Sequence, residues 1–102
     1  MVEIRCADLV IDLPSRQVKL GAKHVHLTPT EYNLLHELAC RSNQVMLHEY
    51  LLSAVWGPEY RDDIDYLRAY IRYLHRKLDE EPSEPKLIGT VPGVGYMLVC
   101  EG

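Results

Sequence analysis

Phenylalanine is missing from this 102-residue chain, tryptophan occurs once and cysteine only three times. Cys6, Cys40 and Cys100 are odd in number, far apart and without a C-x-x-C pairing, so the sequence predicts neither a disulfide framework nor a zinc ribbon. They are expected to be small buried apolar residues in a reducing, cytoplasmic setting. No apolar run approaches the ~20 residues of a membrane span, and Met1 to Asp8 carries charge where a secretory leader needs an apolar stretch. A soluble internal protein is expected, with no membrane partner. His24, His26, His36, His48 and His75 show no H-E-x-x-H or comparable ligand spacing, so no metal and no other cofactor is expected. Positive charge is scarce as well. Eleven Lys and Arg against 15 Asp and Glu leave a net charge of -4, which argues against binding polyanions through total charge.

What is present fits one globular domain. The chain is long enough for a single modest core, and 47% of it is apolar. Its seven tyrosines suit the boundary between core and water. There is no internal repeat and no low-complexity tract. Short alternating apolar runs predict antiparallel strands within 3–27, with turns near Ser15 and Gly21. Thr28 as N-cap, Pro29 in the first helical position and Glu31 closing a capping box predict a helix at about 29–41, with Tyr32, Leu35, Leu38 and Ala39 inward. A shorter helix is predicted at about 48–55, with Leu51, Leu52 and Val55 inward, ended by Gly57 and Pro58. After a short loop, an Asp62-Asp63 cap opens a third helix at about 63–80. Residues 87–100 read as a β-hairpin with the tip Pro92-Gly93-Val94-Gly95. The order is α+β: a small antiparallel sheet, three helices and a hairpin, with a helix-turn-helix in the middle and the hairpin where a wing belongs.

The third helix is the most informative segment. At about 100° per residue, Leu67, Ile71, Leu74 and Leu78 form one stripe, while Arg68, Arg72 and Arg76 point away with Ala69 and Tyr73. A row of guanidiniums on an acidic molecule suits nucleic acid, because they neutralise phosphates and bond to guanine edges in a groove wide enough for a helix. An ordinary solvated helix face is the plain alternative.

L-T-P-T-E-Y-x-L-L from Leu27, L-L-x-x-V-W-G from Leu51, Y-L-R-x-Y-I-R-x-L-x-R-K-L from Tyr66 and T-V-P-G-V-G-Y from Thr90 follow one another in order. With them the chain resembles the winged helix-turn-helix effector domain of OmpR/PhoB-type bacterial response regulators, most closely the potassium-responsive KdpE branch. The resemblance covers nearly the whole chain. It implies a transcription regulator of a two-component system that binds direct-repeat promoter DNA as a tandem homodimer. The third helix would enter the major groove and the wing the minor groove. Gly57, Pro58, Glu59, Tyr60 and Arg61 would face RNA polymerase. Relatives carry a receiver domain before this module; none lies within these residues, so an isolated effector domain is expected and no aspartate here is the phosphosite.

Carried over position by position, the resemblance implies DNA contacts from Arg72 at the centre of the helix, from Arg68 and Arg76 a turn to either side, and from Lys77 on the flank. Tyr73 and His75 stand where relatives often have arginine. In the wing, Thr90 and Tyr96 match hydroxyls that meet the sugar-phosphate backbone, and Gly93 and Gly95 permit close approach. Pro92 replaces a frequent arginine, which weakens reading of groove width. Trp56 is read as core, with a phosphate contact through its indole N–H as the alternative. Two other functions are weighed. Catalysis has only Cys40 with His36, four residues apart on one helix, so no enzyme is expected. A winged helix turned to protein–protein interaction is the runner-up, separable by the salt dependence of duplex binding.

Overall fold

Alternation of apolar and polar residues sets the first layer. The computed structural model describes residues 2–78 and 87–100. Four strands, β1 (Glu3–Cys6), β2 (Leu9–Asp12), β3 (Gln17–Leu20) and β4 (Lys23–Val25), pair antiparallel in sequence order. The register sets Ile11 opposite Val18 and Val18 opposite Val25, so these residues share a face with Leu9, and all four are buried. Ala7, Arg16 and Gly21 take positive φ at the three turns. The turn at Ala7 divides the leading apolar stretch into two strands, finer than the meander read from sequence.

α1 (Pro29–Cys40) begins with the predicted reciprocal cap: the Glu31 backbone N–H donates to Thr28 Oγ1 at 3.2 Å, and the Thr28 N–H donates to Glu31 Oε1 at 2.9 Å. Tyr32, Leu34, Leu35, Leu38 and Ala39 are buried. α1 packs against β1 and against the two helices and the hairpin that follow it in the chain. A two-residue strand, β5 (Met46–Leu47), precedes α2 (His48–Trp56), in which Leu51 and Leu52 are buried and Val55 only partly so. Gly57, at φ 121°, closes α2, and Pro58–Tyr60 forms one 3-10 turn. α3 (Ile64–Lys77) follows, and then the hairpin β6 (Ile88–Val91) and β7 (Gly95–Leu98), which joins β5 in a sheet ordered β5-β7-β6.

Three expectations are corrected. Cys6 and Cys100 are joined by a disulfide and Cys40 is exposed, so the cysteines are not three buried free thiols. The fold brings Cys6 and Cys100 together across 94 residues of sequence, which linear spacing does not reveal. With that bond, cysteine usage no longer points to a reducing compartment. Asp63 is the N-cap of α3, but its side chain makes no cap bond. α3 also ends at Lys77 with Leu78 as its C-cap, short of residue 80; the acidic, proline-bearing stretch 79–86 lies outside the described residues. Among the described residues, no helix is long and apolar enough to cross a membrane.

Candidate nucleic-acid interface

The stripe predicted on α3 is the face it buries. Leu67 and Leu74 are fully buried, Ile71 and Leu78 nearly so, and each such side chain contributes roughly 1.5–3 kcal/mol by leaving water. With that face fixed in the core, Arg68, Arg72 and Arg76 must project into solvent, and all three are exposed. Their spacing of four places the guanidiniums one above another along the helix. Tyr73 is exposed beside them.

The hairpin meets this helix through Arg68 and Tyr96. Tyr96 is 5% exposed and packs its ring edge-on against His48, with centroids 5.5 Å apart. Burial raises the Tyr96 phenol above its ordinary value, while the charge and hydrogen bond of Arg68 oppose that rise. Tyr96 therefore links wing to helix, with its phenol beside the exposed Arg68. Arg68 also lies 3.6 Å from Asp65, whose side chain is 99% exposed.

At the hairpin tip, Thr90, Pro92, Gly93 and Val94 are exposed. Gly93 has φ +74° with nothing within 4 Å of a Cβ position, so it serves the turn. Gly95 is different. A Cβ there would lie 1.9 Å from the Met46 carbonyl oxygen, so this glycine lets β5 and β7 pair closely; it is buried and does not face solvent.

Lys77 is turned to Glu31, with Nζ 2.6 Å from Oε1, and His75 is partly buried. Trp56 packs on Tyr66 and Tyr70 at 5.2 and 5.1 Å, in keeping with a core role. Tyr60 stacks on Tyr66 and Tyr73 meets Tyr70, so aromatic rings run along one flank of α3. The signal for that ladder was present in the spacing of Tyr66, Tyr70 and Tyr73. Pro58, Glu59, Tyr60 and Arg61 are all exposed, and Gly57 is half-buried. Elsewhere, Cys40 Sγ lies 3.5 Å from His36 Nε2, but burial and the neighbouring Glu37 raise the thiol pKa, the reverse of what a nucleophile needs.

A helix-turn-helix whose second helix shows a cationic face beside a β-hairpin defines a winged-helix domain. The family described as "Transcriptional regulatory protein, C terminal" matches residues 22–98. KdpE, the KDP operon transcriptional regulatory protein of Escherichia coli (strain K12), is 37% identical over 93 residues, 91% of this chain and 41% of that protein. The transcriptional regulatory protein KdpE of Mycobacterium tuberculosis (strain ATCC 25618 / H37Rv) is 40% identical with the same coverage. Among solved structures, the Klebsiella pneumoniae RstA DNA-binding domain in complex with the RstA box has a TM-score of 0.89 at 34% identity, covering 97% of this chain and 98% of that one. The chain belongs to the OmpR/PhoB-type family of response-regulator C-terminal DNA-binding domains. It spans about 41% of the length of those KdpE relatives.

Proposed function

We propose that this domain reads double-stranded promoter DNA in a sequence-specific way, with α3 in the major groove and the β6–β7 hairpin against the neighbouring minor groove. One observation carries the reading: Arg68, Arg72 and Arg76 are exposed at intervals of four, opposite a fully buried stripe, on a molecule whose net charge is -4. A cationic face confined to one helix directs the molecule to a groove and not to polyanions at large. Thr90, Tyr73 and the Gly93 tip complete the DNA side; His75 lies at its margin. Lys77, Trp56, Tyr96 and Gly95 support it from behind. Two copies would bind in the same orientation on direct repeats. The exposed 57–61 turn would meet RNA polymerase in the cytoplasm, and a receiver domain in the whole protein would supply control. The KdpE relatives support potassium-transport genes as the regulated class.

Selection of bound sites from random duplexes, followed by footprinting, tests this reading. Two half-sites about one helical turn apart in direct repeat are expected. An inverted repeat, or no enrichment, overturns it. Binding should also weaken with salt at a log–log slope of about -0.9 per phosphate contact, whereas a domain reserved for protein partners would show no duplex binding to titrate.

A further inference from the structure

The disulfide between Cys6 and Cys100 plays no part in reading DNA as described above. It spans 94 residues of sequence and joins the end of β1 to a point two residues beyond β7. The two sheets share no strand pairing among the described residues, so this bond is a covalent tie between the N-terminal sheet and the sheet that carries the wing. The segment after β7 is also held by packing and by hydrogen bonds. The Val99 N–H donates to the Leu87 carbonyl at 2.7 Å, the Cys100 N–H to Asn43 Oδ1 at 2.8 Å, and the Asn43 N–H to the Leu98 carbonyl at 2.7 Å. Cys6 is 2% exposed, whereas Cys100 is only partly buried. An attacking thiolate therefore enters at Cys100 Sγ, and Cys6 leaves into the core, where a thiol is well accommodated.

We propose that Cys6 and Cys100 form a reversible thiol–disulfide site that sets how firmly the wing is held and, through the wing, the affinity of the domain for DNA. Closure needs an oxidant, here a low-molecular-weight disulfide such as oxidised glutathione. The two protein thiols give two electrons and two protons, one S–S bond forms, the small disulfide's S–S bond breaks, and two small thiols leave. Excess reduced thiol runs the exchange backwards. Tyr96, which meets Arg68 of α3, lies four residues before Cys100 on the tethered strand, so loosening the tether loosens a support of the reading helix. The DNA clause rests on the proposed function; the tether itself does not.

The test equilibrates the chain in oxidised or in reduced glutathione. It counts maleimide-reactive thiols by mass after denaturation, follows amide exchange at Tyr96 and Leu98, and measures melting and duplex affinity. In the oxidised state Cys6 and Cys100 should escape maleimide, leaving Cys40 as the one position that carries maleimide or a single glutathione; three reactive thiols are expected in the reduced state. Reduction should lower the midpoint of melting by about 10 °C or more, because a tie across nearly the whole chain restricts the unfolded ensemble. Exchange at Tyr96 and Leu98 should quicken about tenfold, and duplex affinity should fall about fivefold or more. Cys6→Ser and Cys100→Ser should each behave as the reduced form in both buffers, and Cys40→Ser should keep the response. Three reactive thiols after oxidised glutathione, or equal exchange and equal duplex affinity in the two states, overturns the site. Loss of duplex binding in both states, with the thiol counts and exchange responding as expected, overturns the DNA reading and leaves the tether standing.

Discussion

Lys77 Nζ, in the last turn of α3, lies 2.6 Å from Oε1 of Glu31, in the first turn of α1. The same carboxylate oxygen accepts the Thr28 backbone N–H, so one buried side chain completes the cap of α1 and anchors the far end of the reading helix. Burial pushes the Glu31 carboxyl up, but the bonds from Lys77 and Thr28 outweigh it and hold the pKa below its ordinary value.

A depressed carboxylate pKa stabilises the fold above the unfolded-state value, roughly 4.3, and that contribution is lost as pH falls through the lower folded-state value. Urea melts from pH 7 to pH 3 should therefore show stability declining through this window, with Glu31→Gln less stable at pH 7 and flatter below pH 5. Parallel pH profiles for the two proteins would refute the linkage.

Lys77→Met should cost about 1–2 kcal/mol, since it removes a charge-assisted hydrogen bond from a half-exposed lysine. The salt slope of duplex binding should stay the same, because Lys77 serves Glu31. A slope smaller by about one unit would return Lys77 to the phosphate contacts.

Much of this was legible in the chain. Thr28, Pro29 and Glu31 specify a helix start through local chemistry alone, and the leucine stripe at 67, 71, 74 and 78 fixes which way Arg68, Arg72 and Arg76 face. Local rules of spacing were enough there. The rest depends on which distant segments meet. Met46–Leu47 is too short to show alternation, so the third strand of the wing sheet, and with it the reason for Gly95, has no signature until β7 arrives beside it. Glu31 looked like a capping residue only, and its partner lies 46 residues away. Tyr96 carries a hydroxyl that suits a phosphate, and only the folded hairpin sets its ring edge-on against His48 and its phenol beside Arg68.

The two wing glycines should respond differently to alanine. At Gly93 the new methyl meets open space but must accept φ +74°, a penalty of about 1 kcal/mol. At Gly95 it would sit 1.9 Å from a backbone carbonyl oxygen, which no rotamer change relieves, so β5 must separate from β7. Gly95→Ala should cost about 3 kcal/mol or more and remove the exchange protection of His48, whose N–H donates to the Val94 carbonyl at 3.2 Å. Equal melting points for the two variants would contradict the close approach of these strands.

Arg72→Ala separates reading from folding. Arg72 is exposed and is not among the buried residues of α3, and alanine is the strongest helix former, so stability should change by about 0.5 kcal/mol or less. Loss of a guanidinium that bonds bidentately to a base removes about 1–3 kcal/mol of discrimination, about 5- to 150-fold in the preference for the selected site over random duplex. If Arg72 instead contacts phosphate, all duplexes weaken together and the salt slope drops by about one unit. The two outcomes are distinguished by titrating both duplexes at three salt concentrations. An Arg72→Ala protein that folds normally and binds the selected duplex with wild-type affinity and salt slope would take α3 out of the groove altogether.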